Sequence, residues 1–372
     1  MTAHHLLPLF LLLALAPACS IEPPLHLRKQ AETRIILDAE VNVNVMWQAD
    51  WQVMWTFPWN TEVYGPLTYP EPASMRLHLY PLDAQGRPRS HVVNNFHGTT
   101  AEIPITVGIY DMIFHNNDSE VLLFSGDMDH EEIKCATRVI ASGIKASSPV
   151  KTLSQKAETK ASIDSLPEEP VALMPDPLFS SYEKAHYISD NLEDYEYIDG
   201  RYVLRIEGTL QPLSYIHLIQ INLQNNDGRV VGSNGGVALT GVSAGVDLCS
   251  RETQASSVTV ITDALFNRTT DQFGIRMLSF GIPGCNPYDP ASVAVAPEGP
   301  HFLVLNVTYM DATWRNIRID ITDAYRALPL GGVITLDLDV DDFPPEHAIR
   351  GDGFQALIDN WEEVRGETTI IN

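Results

Sequence analysis

The chain has 372 residues, of which 44% are hydrophobic and 8% aromatic, as is typical of a folded globular protein. Its 48 acidic and 24 basic residues give a formal net charge of −24 at pH 7. Because so acidic a body repels phosphate groups, the composition argues against nucleic acid and anionic lipid headgroups as partners. The length that remains after the N-terminal segment predicts two domains rather than one.

The chain begins with an apolar run, Leu6 to Ala18, that stops at Cys19. This run is shorter than the about 20 residues that cross a bilayer of roughly 30 Å, and its length suits an export signal. Small residues directly before a cysteine resemble the lipobox of bacterial lipoproteins, whose thiol is acylated and becomes the mature N-terminus. The leucine of that motif stands one position early here, and Pro17 intrudes. We predict a lipoprotein signal at 1–18 and lipidation of Cys19; the alternative is an ordinary secretory signal cut near Ala18.

Residues 19–33 are mostly polar, contain two prolines and are predicted to form a tether. From Ile35 to Trp55, apolar and polar residues alternate strictly, which predicts a strand with one buried face that breaks because of its length. The tryptophans of this strand are expected in the core. A proline-rich loop is predicted at 58–73. Further alternation predicts an N-terminal β-sandwich domain at 34–140, with strands at Met75–Leu79, Ile103–Phe114 (with a bulge after Gly108) and Val121–Phe124.

Residues 141–198 are predicted to connect the two domains, because they are rich in serine, lysine, threonine and proline and poor in large apolar residues. Within them, Asp164-Ser165-Leu166 resembles the short acceptor motif for O-glycosylation in Bacteroidetes, which makes Ser165 a candidate for modification. The stretch from Tyr182 to Tyr197 is rich in tyrosine, aspartate and glutamate. It is either a solvated connection or an adhesive surface patch.

A second β-sandwich domain is predicted at 199–345, because short alternating strands follow one another with turn signals between them. Asp227-Gly228 is a strong hairpin signal. In the tail, 346–372, the spacing of Phe354, Leu357, Ile358 and Trp361 predicts a short amphipathic helix. The strands of the second domain are predicted at Tyr202–Ile206, Tyr215–Leu223, Ser257–Thr262, Ile275–Phe280, Phe302–Met310, Trp314–Ile321 and Val333–Val340.

The sequence contains no motif that points to catalysis, to a metal ion or to a cofactor. Phosphate loops, dinucleotide fingerprints, serine-hydrolase elbows and zinc-protease motifs are all absent. The acidic run 337–342 lacks the glycine and the distal glutamate of a calcium loop, and its alternation predicts a solvated strand face. With Cys19 acylated, Cys135, Cys249 and Cys285 remain, so at least one thiol is unpaired, and Cys249–Cys285 is only a possible bridge.

Seven segments between about 34 and 340 resemble a group of Bacteroidales lipoproteins related to fimbrial anchor subunits, including an uncharacterised-domain branch. The resemblance implies two tandem transthyretin-like β-sandwiches on an outer-membrane lipid anchor. Known members lie at the base of a fimbrium and limit its length. The segments are VMWQADWQVMW, GIYDMIFHNND, YISDN, LQPLSYIHLIQINLQNNDGRVVG, ALTGVSAGVDL, IRIDITDA and GGVITLDLDV.

The sequence therefore predicts an all-β, lipid-anchored protein of the cell surface and outer membrane that is not an enzyme. As a fimbrial anchor or structural subunit it would dock a fimbrillin or pilin subunit by strand addition at a sheet edge. The alternative is a surface adhesin or glycan-binding module of the fimbrial-tip type. That alternative needs an exposed aromatic platform, for which the candidates are Trp55, Trp59, Tyr182, Tyr187, Tyr195 and Tyr197.

Overall fold

A computed structural model describes residues 33–41, 54–140, 169–345, 347–348, 362–363 and 367–370. Most of these residues lie in strands, which confirms the all-β prediction. Among the described residues, no helix is both long and apolar enough to span a membrane. The strands are β1 Thr33–Val41, β2 Ser74–Pro81, β3 Val92–His97, β4 Thr100–Ile105, β5 Gly108–Asn116, β6 Leu122–Ser125, β7 Lys134–Thr137, β8 Val171–Leu173, β9 Phe179–Ile188, β10 Glu196–Ile198, β11 Arg201–Pro212, β12 Tyr215–Gln224, β13 Val230–Ser243, β14 Gly245–Asp247, β15 Ser257–Thr262, β16 Leu265–Asn267, β17 Gln272–Ser279, β18 Phe302–Tyr309, β19 Thr313–Asp320, β20 Gly332–Asp339, β21 His347–Ala348, β22 Glu362–Glu363 and β23 Glu367–Ile370.

Among the described residues there are three short α-helices, α1 Thr61–Tyr64, α2 Pro290–Val295 and α3 Thr322–Ala327, and two 3₁₀ helices, Leu192–Asp194 and Val340–Asp342. Asn60 caps α1, since its side chain accepts hydrogen bonds from the N–H groups of Glu62 and Val63. Asp289 caps α2 in the same way, and Pro290 occupies the first turn, where a missing N–H costs nothing.

The first sandwich is one curled sheet in the order β3-β2-β5-β9-β11-β1-β4, with β10 added alongside β11. Strand β1 pairs in parallel with β11 and antiparallel with β4. The outermost strands of this order, β3 and β4, are joined only by Gly98 and Thr99, so the sheet folds back on itself and encloses a core. That core consists of alternate residues of its strands, as the period of two requires: Met75, Leu77, Leu79, Ile103, Ile105, Tyr110, Met112, Phe114, Phe179, Ile188, Ile206 and Leu210.

The predicted connection 141–198 is wrong in its last third, because β9 and β10 lie there and β9 is a central strand of the first sheet. Phe179 and Ile188 of β9 are buried in the first core, and the charged residues between them are not. Strand β11, predicted to open the second domain at 199, also belongs to the first sheet. The parallel pairing of β11 with a strand more than 160 residues earlier leaves no local trace in the sequence.

The second sandwich has a five-stranded sheet, β16-β17-β12-β20-β23, and a seven-stranded sheet that contains β21-β19-β18-β13-β15-β8, with β22 alongside β19. The strands predicted at β12, β15, β17, β18, β19 and β20 are confirmed, and Ile334, Leu336 and Leu338 are buried as the alternation requires. Asp227-Gly228 does form a turn, but the predicted hairpin is wrong. The turn joins β12 in one sheet to β13 in the other.

Two apolar contacts join the sandwiches. A small sheet, β14-β7-β6, combines strands from both halves of the chain and covers the outer face of β2 and β5. Residues 54–69, here called the strap, lie across the outer face of the five-stranded sheet, where Trp55, Phe57 and Leu67 contact Leu218 and Val333 among others. The loop predicted at 58–73 contains no strand and only the short helix α1, and most of its residues are exposed, while Leu67 and Pro72 are buried.

Several other predictions have definite outcomes. Strand β1 forms the start of the predicted 35–55 strand, and residues 42–53 lie outside the described residues. The segment predicted as one strand, Ile103–Phe114, is two strands, because the chain turns a corner at 106–107 and moves from β4 at the end of the sheet to β5 in its middle. The irregularity predicted after Gly108 is present, since the pairing of β5 with β9 shifts register between Tyr110 and Met112. The helix predicted around Phe354 lies outside the described residues. The predicted tail contains strands, and β23 pairs with β20.

Candidate functional site

Strand β3 is an open sheet edge. Within the part of the chain that the structure describes, it pairs with β2 on one side and with no strand on the other. Every second residue of an edge strand turns its N–H and C=O away from its neighbour, so β3 presents unpaired backbone groups that another strand can bond. Val92 and Val93 are 47% and 39% exposed, and the strand, VVNNFH, contains no proline, lysine or acidic residue. Strand β3 therefore lacks the residues that normally prevent another strand from pairing with a sheet edge.

The other outer strands of the described sheets are protected or short. Strand β4 contains Pro104, which has no N–H to donate, and Glu102, which forms an ion pair with Arg201 at 3.0 Å. Strand β8 is covered by residues 138–140, whose backbone bonds reach Val171 and Leu173. Strands β6, β16, β21 and β23 have two to four residues each, compared with six in β3. Of the edges described, β3 is the one best suited to accept a partner strand.

Side chains from β2 and the 116–118 turn hold β3 in a fixed position. Arg76 Nε and Asn117 Nδ2 both donate to Asn95 Oδ1, at 2.8 and 3.0 Å. At the start of the strand, His91 Nε2 lies 2.8 Å from His78 Nδ1. These contacts preorganise the edge, which lowers the entropic cost of adding a strand to it.

His91 is the outer end of a chain of three histidines. His78 Nε2 lies 3.0 Å from His115 Nε2, and His115 Nδ1 lies 2.8 Å from the carbonyl oxygen of Asn116. Burial lowers the pKa of His78 to about 4, and the positive charges of His91 and Arg76 act in the same direction. Burial also lowers the pKa of His115 to about 3 and, less strongly, the pKa of His91. The three histidine rings are therefore uncharged at neutral pH.

The aromatic residues predicted as a binding platform do not form one surface, because Trp55 and Trp59 contact each other in the strap and the tyrosines lie in β9, in β10 and directly before β10. Trp55 is 7% exposed and packs against Phe57 and Trp59, which belong to the strap as it does. Trp59 is half-buried and donates from Nε1 to the carbonyl of Gly65 at 2.9 Å. The burial of Trp55 agrees with its predicted core role and removes it from any exposed platform.

The four tyrosines of the candidate platform divide equally between buried and exposed surroundings. Tyr182 is half-buried beside the ring of His130, and Tyr195 is 8% exposed, with its hydroxyl donating to the carbonyl of Ser189. Tyr187 and Tyr197 are 55% and 67% exposed. Tyr202, which sequence reasoning missed, lies directly opposite Tyr197 with the ring centroids 5.1 Å apart. The signal that could have identified it was the turn Asp199-Gly200 between the two residues.

Cys19 and Ser165 lie outside the described residues. Cys135, Cys249 and Cys285 are free thiols, so the bridge left open between Cys249 and Cys285 is not formed. The Cys249 thiol instead donates to the carbonyl oxygen of His130, with Sγ 2.6 Å from that oxygen.

Carboxylates of the acidic run are occupied by hydrogen bonds. Asp337 accepts from Asn222 Nδ2 at 2.7 Å, and Asp339 accepts from Asn225 Nδ2 at 2.8 Å. In the described part of the chain, no group of three or more histidine, cysteine or acidic residues is arranged to hold a metal ion. A hollow of about 780 Å³ beside α3 contains Arg326, which is engaged with the carbonyl oxygens of Pro297 and Val293.

A family model described as Domain of unknown function (DUF5119) matches residues 51–263, more than half of the chain. No curated protein matches the sequence. A Bacteroides ovatus protein whose assignment as an adhesin is provisional has a similar structure, with 14% identity, a TM-score of 0.48 and coverage of 86% of this chain and 92% of that one.

The fimbrial anchor protein Mfa2 from Porphyromonas gingivalis is also similar, with 12% identity, a TM-score of 0.40 and coverage of 82% of this chain and 90% of that one. The tip fimbrial protein Mfa3 from the same organism has 9% identity, a TM-score of 0.34 and coverage of 86% and 97%. At these scores and identities the likenesses do not establish a shared function.

Proposed function

The chain belongs to the family described as Domain of unknown function (DUF5119), and we propose that it is a cell-surface lipoprotein, anchored in the outer membrane through Cys19, that serves as an anchor or structural subunit of a fimbria-like assembly. Its partner is a fimbrillin or pilin subunit, which adds a strand to β3. Family membership agrees with the uncharacterised-domain branch that the sequence resembles.

The observation that carries the proposal is the open edge of β3. Strand addition gains affinity from main-chain hydrogen bonds, and side-chain pockets add specificity. Strand β3 offers unpaired backbone groups, two exposed valines and a position fixed by Asn95 and His91. An interface that depends mainly on the backbone suits a subunit that has to accept one member of a polymer.

The anchor is tested by the intact mass of the protein from membranes of its native host, wild type beside Cys19→Ala. We expect the wild-type chain to begin at Cys19 with a diacyl-sized or triacyl-sized increment. The variant should lose both the increment and the membrane association. An unmodified wild-type chain in the soluble fraction would overturn the anchor.

The docking edge is tested with Val93→Lys, which places a charge on the strand where a partner would lie. The matched control is Val295→Lys, since Val295 is 83% exposed and lies in α2 rather than in a strand. Both variants should fold and reach the membrane. We expect surface fimbriae to be lost or detached with Val93→Lys only. Normal fimbriae in both strains would exclude β3 as the docking edge.

A photo-crosslinking amino acid at Val92 identifies the partner. The expected product joins this chain to a subunit that is also present in the purified fimbrial fraction, and the same group at Val295 should not form it. Crosslinking to a protein absent from that fraction would count against the proposal.

A further inference from the structure

Strand register shows where the predicted tether leaves the first sandwich. Thr33, the first residue of β1, pairs with Ile105 at the end of β4, and Arg34 pairs with Val203 of β11. The β4–β5 corner, the end of β9 and the β10–β11 hairpin therefore surround the start of β1. Strand β1 runs away from this end of the sandwich, toward the strap and the second sandwich.

Seven large apolar residues are exposed at this end. They form what we call the tether-end patch: Val107, Ile109, Tyr187, Leu192, Tyr197, Ile198 and Tyr202, each between 36% and 67% exposed. They come from three separate stretches of chain. Ile109 lies opposite Tyr187 in the pairing of β5 with β9, and Tyr197 lies opposite Tyr202 in the hairpin.

The patch is not a poorly closed core. Behind it, Ile105, Tyr110 and Ile188 are each 7% exposed or less. The core of the sandwich is therefore closed, and the patch residues lie outside it. Single exposed apolar residues are normal on a protein surface, whereas grouped ones mark a surface that another phase or molecule covers.

We propose that the tether-end patch rests on the headgroup and upper acyl region of the membrane to which the chain is anchored. This inference rests on the proposed function, because it takes Cys19 as the anchor. The steps from Cys19 to Thr33 reach at most about 45–50 Å when fully extended. The end of the sandwich that carries Thr33 is therefore the end held nearest the lipid.

The residue types suit this position. A tyrosine has an apolar ring and a polar hydroxyl, and tyrosines accumulate where a membrane meets water. Three of the seven patch residues are tyrosines. A short tether also keeps the patch at a millimolar effective concentration near the surface, so a contact too weak to bind a free protein is still populated.

Charged residues beside the patch restrict the kind of lipid. Asp190, Glu193, Asp194 and Asp199 lie in the loop and hairpin that carry Leu192 and Tyr197. Of the basic residues there, Arg201 is paired with Glu102 and Arg205 with Glu196. Anionic headgroups would repel this rim, so the patch fits a surface of zwitterionic lipid.

The test replaces the natural anchor so that it does not depend on Cys19. A chain that starts at residue 20 with an N-terminal hexahistidine tag is bound to phosphatidylcholine vesicles that contain a nickel-chelating lipid. An environment-sensitive dye is attached at Tyr197→Cys or, as the control, at Met310→Cys, since Met310 is 73% exposed at the β18–β19 turn of the second sandwich. Unsubstituted protein gives the background from the native thiols.

Lipids with a quencher near the headgroup should quench the dye at position 197 several-fold more strongly than the dye at 310. The difference should shrink when phosphatidylglycerol replaces phosphatidylcholine and return when salt is added. Hydrogen exchange of residues 196–202 in unsubstituted protein should be slower with vesicles than without them, beyond the protection that the β10–β11 pairing already gives. This measurement needs no substitution in the patch.

Equal quenching at the two positions would overturn the proposal. Exchange of 196–202 that vesicles do not slow would show that lipid does not cover the patch. Protection by a soluble polysaccharide, without quenching by lipid, would assign the patch to a glycan; both results reject the membrane contact. Failure of the proposed function is a separate outcome, because it is read from the mass of the native chain at Cys19.

Discussion

The Nε2 atoms of His78 and His115 face each other at 3.0 Å, and both rings are about 1% exposed. His115 Nδ1 lies against the Asn116 carbonyl and has to donate, so His115 Nε2 accepts the proton of His78 Nε2. His78 Nδ1 then accepts from His91 Nε2. Each ring donates in one direction, and protonation of either inner ring would place two N–H groups face to face.

This arrangement predicts that the protein loses stability in mild acid. The folded pKa of His78 is about 4 and that of His115 about 3, both lowered mainly by burial, and burial also lowers the pKa of His217 and of His301 to about 4. An unfolded histidine takes up its proton near pH 6.5. The unfolded state therefore binds more protons below that pH, and the free energy of unfolding falls as the pH drops toward 4.

Denaturant unfolding at pH 7.5, 5.5 and 4.5 measures the effect, which is on the order of 3 kcal/mol for a histidine whose pKa is lowered by about two units. His78→Gln should reduce the slope of stability against pH. The exposed His97 supplies the control, and His97→Gln should leave the slope unchanged. Identical slopes of unfolding free energy against pH in wild type and His78→Gln would contradict the assignment of His78 as an uncharged ring. The groups that face His78 are His91, His115, Arg76, Tyr80 and Asp127.

A second prediction concerns the contact between Phe57 and Gly274. A Cβ added at Gly274 would lie 2.4 Å from two ring carbons of Phe57, so the ring packs directly on the backbone of β17. We expect Gly274→Ala to lower the free energy of unfolding by about 1–3 kcal/mol through overpacking. In a double-mutant cycle, Phe57→Leu should relieve part of this cost.

Gly232→Ala is the matched control for that change. Gly232 is also a strand glycine, but nothing lies within 4 Å of its added Cβ. Its substitution should change stability little. Additive effects of Gly274→Ala and Phe57→Leu would show that the strap does not occupy this position.

A third prediction concerns how Gln220 holds the strap. Its Oε1 accepts from the Thr56 N–H at 2.9 Å, and its Nε2 donates to the Met54 carbonyl at 2.8 Å, so the side chain acts like a short piece of paired strand. Gln220→Leu removes the hydrogen-bond partner of both backbone groups, a net loss of about 0.5–1.5 kcal/mol for each bond. We expect faster exchange of the Thr56 amide and faster proteolysis within the strap.

Gln272→Leu tests the specificity of that result. Gln272 contacts only the side chains of Thr56 and Asn222, so its loss leaves the strap backbone bonded to Gln220. The Thr56 amide should keep its protection in this variant. Equal protection in Gln220→Leu would mean that apolar contacts alone hold the strap.

A fourth prediction follows from the free thiols. Cys135 and Cys285 are each 1% exposed, and Cys249 is half-buried, with burial raising the pKa of all three thiols. Thiolate is the reactive form, so a thiol reagent should label the folded protein slowly and the unfolded protein at all three positions. Reducing agent should leave the Tm unchanged. A lower Tm on reduction would indicate a disulfide.

Sequence patterns were most informative where one strand face is buried. Strands β2 and β20 follow from alternation alone, because a period of two is imposed on each strand by its own core-facing side. Strand β12 follows instead from a nearly continuous apolar run, since both of its faces are buried. Fold class therefore follows from the sequence. Strand pairing does not follow from the sequence. Strands β1 and β11 pair with each other although they are far apart in the chain, and any open edge could have accepted either of them.

The candidate surfaces show the same division. Alternation and the Asp199-Gly200 turn are sufficient to expose Tyr197 and Tyr202, whereas Tyr195 looks equally available in the sequence and is buried. Trp55 is buried as alternation predicts, although it was also a candidate for the exposed platform. What buries Trp55 is the outer face of β12, β17 and β20, which begins about 160 residues later. The amino-acid sequence alone determined the strands whose apolar pattern is clear, because that pattern depends on neighbours two residues apart, but it did not reveal β3, β9 or β13. Only the tertiary structure decided which edge stays open and which aromatic rings reach solvent, because both depend on contacts between distant parts of the chain.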